Sequence, residues 1–273
     1  MPHPNLKYLR KGVLPHMFCP GCSCGQILNS YIYAIDELGL DMDRLVTIGG
    51  VGCMSRAPAY LNTDAIHGIH GRNLPFATGV KLANPDLTVV VLMGDGGCAA
   101  IGGNHLIQAA RRNLDVTVIV DNNGSFAMTG GQVSPMTPLG STTTTTASGN
   151  FERPFDICKL VEAAGGTYIS RWTTAHIVQL TNSIKKGIMH RGFSFIEVVG
   201  QCPTQFGRYV LKLRDPVENL NWLRENSLTI DEAEDLSEEE VGGRIVVGDF
   251  VERELPTLED GYIGLEGKIG AVR

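Results

Sequence analysis

Asp95 and Asn123 are the two side chains in this sequence whose types and spacing point most directly to chemistry. Asp95 lies in a Gly94-Asp95-Gly96-Gly97 run, and Asn123 follows Asn122, 28 positions beyond Asp95. A carboxylate and an amide oxygen are hard donors suited to magnesium, which in turn holds a diphosphate. The glycines at 94, 96 and 97 let backbone approach phosphate, and amide groups opening the next helix favour an anion. Either half alone is also an ordinary loop turn. The elements that carry them separate the two readings. Leu87 to Met93 and Val116 to Val120 are nearly unbroken apolar runs, as expected of strands buried on both faces. Each run leads straight to one of the two polar groups. Both groups are therefore expected on loops at the carboxyl ends of neighbouring strands, where open α/β sheets bind ligands.

A second set of residues is built on sulfur. Cys19-Pro20-Gly21-Cys22 can aim two thiolates from one turn at a single centre. Cys53 lies in the glycine-rich run Gly49 to Arg56, and Cys202 precedes Pro203. Four thiolates from 19, 22, 53 and 202 complete a [4Fe–4S] site, which favours such turns for their backbone donors. They equally complete a structural zinc site, and spacing alone leaves both open. A thioredoxin-like redox pair is disfavoured, because no strand precedes Cys19. Cys24 is an alternative ligand of awkward geometry, only two positions from Cys22. Cys98 packs beside the Asp95 loop, and Cys158 is read as a small core residue.

These motifs occur in one order: the CPGC turn, the Cys53 turn, His70-Gly71-Arg72 with Leu74-Pro75, the Asp95 and Asn123 runs, and Cys202-Pro203-Thr204. The strand–GDG–helix–strand–NN part resembles the thiamine diphosphate signature. Over residues 14 to 210 the whole resembles the β subunit of a 2-oxoacid:ferredoxin oxidoreductase. Residues 102 to 113 and 128 to 132 look most like the 2-oxoglutarate branch, with the pyruvate branch as nearest rival. The sequence departs from the usual family run at Gly97-Cys98 and at Ser125-Phe126-Ala127.

The resemblance implies a magnesium ion on Asp95, Asn123 and the backbone carbonyl of Ser125. It implies that residues 94 to 97 and 123 to 128, Phe126 included, line thiamine diphosphate. It also implies a [4Fe–4S] cluster on Cys19, Cys22, Cys53 and Cys202, and His70 in the active site. No glutamate here matches the one that activates thiamine. An α subunit is therefore expected to supply it, together with coenzyme A contacts, and ferredoxin is expected to take the electrons. An iron-free thiamine-dependent decarboxylase subunit and a cluster-only electron carrier are the rival classes.

The bulk properties fit such a chain. With 273 residues it can bury one large α/β core, read as a mostly parallel sheet flanked by helices. The net charge of −6 argues against nucleic acid as a partner. No run approaches the roughly 20 apolar residues of a membrane span, and the start carries no signal peptide pattern. Seven cysteines in such a chain point to reduced thiols in the cytoplasm. A helix is expected over Gly25 to Leu38, ended by Gly39, with strands at Leu45 to Ile48 and Ser194 to Val199. One domain is read over 1–202. A C-terminal extension over 203–273 is expected to show little regular pattern and to contact the partner subunit, its tail from Ile245 forming an arm.

Several side chains carry weaker signals. Arg56 and Arg72 could bind a substrate carboxylate or pair with surface acids. His67 is read as solvated. Ser141 and the five threonines after it suggest an ordered loop, either a lid or plain surface. The acidic run Asp231 to Glu240 is expected in solvent.

Overall fold

The computed structural model describes residues 3–270, and residues 266–270 by their backbone alone. Helix α1 (Ser23–Leu38) stops at Gly39, whose left-handed φ of 60° lets its amide return to the carbonyls of Ile35 and Asp36. Then follow β1 (Leu45–Gly49), β2 (Asp64–His67), α2 (Asn73–Ala83), β3 (Thr88–Gly94), α3 (Gly103–Arg111) and β4 (Val116–Asn122). A small hairpin, β5 (Ser125–Phe126) with β6 (Gln132–Val133), leads to α4 (Ile157–Ala163), β7 (Tyr168–Thr173), α5 (Ile177–Met189) and β8 (Phe193–Val199). The chain continues through α6 (Pro216–Glu225), β9 (Ser227–Thr229), α7 (Ile230–Glu234), α8 (Glu238–Val241), β10 (Ile245–Glu252) and α9 (Leu258–Gly270).

Eight strands form one sheet in the order β2-β1-β3-β4-β8-β7-β10-β9. The first six run parallel, and β10 lies antiparallel to β7. Helices cover both faces, which explains the apolar runs without alternation. Val89, Val91 and Met93 of β3 pack towards α2 and α3, while Val90 and Leu92 face α1 and α5. Burying each such side chain contributes roughly 1.5–3 kcal/mol, so this strand is fixed from both sides. Among the described residues no helix is long and apolar enough to cross a membrane.

The chain leaves β1 towards β2 on one side and leaves β3 towards β4 on the other. Such a reversal opens a crevice between two adjacent strands at their carboxyl ends. Gly49 closes β1 and Gly94 closes β3, so the Cys53 turn and the Asp95 loop flank that crevice.

The extension beyond 203 departs from expectation. It carries regular elements, and β10 extends the chain's own sheet through β7, with a bulge between Asp249 and Val251. Ile245 to Glu252 is therefore an integral strand and not an arm. The acidic run is solvated as expected, and it is ordered by capping: Thr229 with Glu232 and Ser237 with Glu240 each exchange bonds across a helix start.

Candidate functional site

The crevice between β1 and β3 widens into a cavity of about 200 Å³. Its walls are residues 51–54, 94–97 and 125–129, with His70, Asp121 and Asn123. The sequence-predicted residues Gly94, Asp95, Gly96, Gly97, Asn123, Ser125, Phe126 and His70 thus share one wall system. Beyond Asp95 the backbone forms a π-helical turn over Gly96–Ala100, an irregularity that recurs where backbone must face a ligand. A Cβ on Gly96 would lie 2.2 Å from the Phe126 ring, so only glycine lets β5 close on this turn.

Asp95 is 2 % exposed, and its Oδ2 accepts the Ser134 hydroxyl at 2.6 Å. Burial pushes its pKa up to about 7, against the bonds from Ser134 and the Gly96 amide. A buried carboxylate with so little compensation calls for a cation. Asn123 turns its amide nitrogen to Asp121 Oδ2 at 3.2 Å, and its Oδ1 accepts the Ser125 hydroxyl at 3.1 Å. Carboxylate, amide oxygen and the Ser125 loop together offer the oxygen donors that magnesium needs. His70 supports a ligand here as well: its Nδ1 is buried without a hydrogen-bond partner, and its ring stands edge-on to Phe126 at 6.2 Å.

All four predicted sulfurs are free thiols at this end of the sheet. Cys53 follows β1, Cys202 follows β8, and Cys22 caps α1. Burial pushes the Cys53 thiol up to about 12, helped by the sulfurs of Cys22, Cys202 and Cys19 and the carboxylate of Asp121. Burial likewise pushes Cys202 up to about 11, opposed by the amides of Gln205 and Phe206 that face its sulfur. Four neighbouring thiols, one already met by backbone amides, fit an iron–sulfur cluster, whose sulfurs use such donors. Zinc with Zn–S of about 2.3 Å draws four sulfurs much closer together. Among the described residues no three His, Cys, Asp or Glu side chains close on one ion-sized point.

The remaining side chains stand apart from the cavity. Cys24 is fully buried in α1 and donates to Asp121 Oδ2 at 3.3 Å, so it turns away from the role of alternative ligand. Bonding with Cys22 and burial hold its thiol well above the ordinary range. Cys158 is buried, and its sulfur donates to Glu197 Oε2 at 3.1 Å. Arg56 is exposed, and Arg72 spends its guanidinium on the carbonyls of Gly71 and Ile101; neither lines the cavity. His67 is exposed on β2. The threonine loop is ordered, with Thr143 and Thr146 bonded to each other at 2.7 Å, and none of its residues lines the cavity.

Sequence reasoning missed Ser134, Asp121 and Glu197. Ser134 reaches Asp95 across 39 positions, with no local pattern to betray it. Asp121 and Glu197 did leave a signal, since each is an acid at the end of an otherwise apolar buried strand.

A family model described as "Thiamine pyrophosphate enzyme, C-terminal TPP binding domain" matches residues 50–198. The 2-oxoglutarate synthase subunit KorB of Methanocaldococcus jannaschii is 52% identical over 254 residues, covering 93% of this chain and 94% of the relative. The 2-oxoacid:ferredoxin oxidoreductase subunit beta of Saccharolobus solfataricus is 41% identical over 189 residues, 68% of this chain and 62% of the relative. The chain belongs to the β-subunit family of the 2-oxoacid:ferredoxin oxidoreductases. A solved structure of the 2-oxoglutarate:ferredoxin oxidoreductase of Magnetococcus marinus, with 2-oxoglutarate, coenzyme A and succinyl-CoA bound, matches with a TM-score of 0.87 at 30% identity. That match covers 98% of this β subunit and 91% of the other chain.

Proposed function

We propose that this chain is the thiamine-binding half of a coenzyme A-dependent 2-oxoglutarate:ferredoxin oxidoreductase. The observation that carries the reading is the convergence of Asp95, Asn123, Ser125 and His70 on one cavity beside the thiol quartet. The substrate follows the relatives, which are 2-oxoglutarate synthase subunits at 46% to 53% identity. Thiamine diphosphate, when bound, supplies the nucleophilic carbon and electron sink for decarboxylation, and a [4Fe–4S] cluster supplies a one-electron acceptor.

The chain's own residues have separate tasks. Asp95, Asn123 Oδ1 and the Ser125 carbonyl hold Mg²⁺, while Ser134 fixes the carboxylate by its 2.6 Å bond. The glycine-rich turn Gly96–Ala100 would offer backbone amides to the diphosphate. His70 presents its ring nitrogen to an oxygen of cofactor or substrate. Cys19, Cys22, Cys53 and Cys202 hold the cluster.

The cavity is only half a site. At about 200 Å³ it is smaller than the roughly 300 Å³ at which small-molecule pockets begin, and among the described residues no glutamate lines it. Val51, a wall residue, and Ile69, next to His70 in the chain, are exposed at 42% and 70%, and Ile101, exposed at 51%, lies against Gly71. An α subunit covering this rim supplies the pyrimidine half with its glutamate and the coenzyme A contacts. A cluster held by the four cysteines would pass electrons to ferredoxin as the acceptor partner. The test is turnover of 2-oxoglutarate with coenzyme A and ferredoxin. The α–β complex is expected to turn over and the isolated chain to be inactive; activity of the isolated chain would contradict the half-site reading.

A further inference from the structure

Asp121 is fully buried at the end of β4, between the cysteine turn and the Asn123 loop. Its Oδ2 accepts two donors at once, Cys24 Sγ at 3.3 Å and Asn123 Nδ2 at 3.2 Å. Its Oδ1 is buried beside Ser23 and faces Gly200, where a Cβ would come within 2.7 Å of it and within 2.3 Å of Ser23 Cβ. One carboxylate therefore touches three segments that carry proposed ligands. Cys24 is in the first turn of α1, directly after the Cys22 cap and near the Cys22 sulfur. Gly200 lies two residues before Cys202 and binds the Asn122 carbonyl through its amide at 3.0 Å. Asn123 is the amide ligand itself.

The contact with Asn123 also sets that amide's direction. By taking the NH₂ end, Asp121 turns Oδ1, which already accepts the Ser125 hydroxyl at 3.1 Å, into the end whose second lone pair can meet a metal. A side chain that small cannot shift towards one partner without straining its bond to the other, because Gly200 and Ser23 crowd its second oxygen.

Resting on the function proposed above, we propose that Asp121 is a positioning residue that couples the two centres. Filling the magnesium–diphosphate site changes the reduction potential of the thiol-held cluster. By thermodynamic reciprocity, reducing the cluster changes the affinity for magnesium–thiamine diphosphate by the same factor. Asp121 achieves this through Cys24 on one side and Asn123 on the other, without touching iron or magnesium.

The test uses the anaerobically prepared α–β complex. The midpoint potential of the cluster is measured by redox titration with and without magnesium–thiamine diphosphate, in wild type, Asp121→Asn, Cys24→Ala and Cys24→Ser. Wild type is expected to show a different potential in the two states. Asp121→Asn keeps the volume but removes the charge and one acceptor, so its cofactor-dependent shift should vanish and its potential should rise. Cys24→Ala should lose most of the shift, and Cys24→Ser, which restores a donor, should regain it. If Asp121→Asn fails to assemble, the alanine and serine pair reads the same coupling from the other end of the contact. A wild-type complex that loads both centres yet shows no shift, or variants that keep the full shift, would overturn the coupling alone. A wild-type complex that takes up neither centre would overturn the functional reading and the coupling with it.

Discussion

Glu197 Oε1 accepts the side-chain amide of Asn122 at 2.7 Å, and Asn122 Oδ1 in turn accepts the backbone amide of Gly124 at 3.2 Å. Together with the Asp121–Asn123 contact, each asparagine of the pair is thus held by its own buried carboxylate. The loop that presents Asn123 and Ser125 is fastened to β8 as well as to β4. Glu197 is itself part of a buried ion network, with Arg171 Nε at 2.6 Å and Asp156 bonded to the same guanidinium at 2.6 Å.

Removing Glu197 leaves the buried Arg171 with only the more exposed Asp156 as counter-charge, and leaves the Asn122 amide without its acceptor. Glu197→Ala is expected to destabilise the chain by about 3–5 kcal/mol, visible in denaturant unfolding of the α–β complex or of the chain. Glu197→Gln keeps an acceptor for Asn122, so it should retain magnesium–thiamine diphosphate binding better than Glu197→Ala. Equal loss of binding in both variants would show that the Asn122 bond is irrelevant to the site.

Ser134→Ala removes the hydroxyl from Asp95 and, with it, the oxygen that accepts the Met136 amide at 3.2 Å. Partners that orient a metal ligand are commonly worth about 10–100-fold in affinity. A Mg²⁺ titration of thiamine diphosphate binding by calorimetry should show a loss in that range with the enthalpy of unfolding unchanged.

The raised pKa of Asp95 gives the metal-free site a pH dependence whose sign is fixed. Its folded value of about 7 exceeds the ordinary carboxylate value of 3.8, so the folded metal-free chain holds this proton more tightly than the unfolded one. The stability from this group is complete below about pH 4 and declines as the pH rises to about 7. Magnesium must displace the same proton. Its affinity should therefore rise about tenfold per pH unit up to pH 7 and then level off. Calorimetry in buffers of different ionisation heat should detect one proton released below pH 7.

The two centres should also fail separately. Asp95→Ala is expected to abolish magnesium–thiamine diphosphate binding and leave the brown absorbance of the cluster intact. Cys53→Ala is expected to bleach the colour while magnesium–thiamine diphosphate still binds. Loss of both centres in both variants would mean that these residues hold the fold instead of the ligands.

The side chains proposed as ligands were legible because each follows a short local pattern. Asp95 and Asn123 end unbroken apolar strands, and the cysteines stand beside proline or glycine. The parallel sheet was legible for the same reason. Ser134, Cys24 and the Glu197 network were not, since their roles depend on partners 26 to 97 positions away. Strand β10 escaped notice because Gly248 and Asp249 interrupt its apolar alternation at the edge of a bulge. The guanidinium of Arg72 looked available for a substrate, yet Nη1 is bonded to the carbonyl of its neighbour Gly71 and to that of Ile101, which only folding brings close.

Metal and cofactor analysis of the anaerobically purified α–β complex tests the central claim most directly. Per β subunit, iron and sulfide in the ratio of a [4Fe–4S] cluster are expected beside bound thiamine diphosphate, the latter lost in Asp95→Ala. Zinc in place of iron, or a complex that takes up no thiamine diphosphate at saturating Mg²⁺, would contradict it.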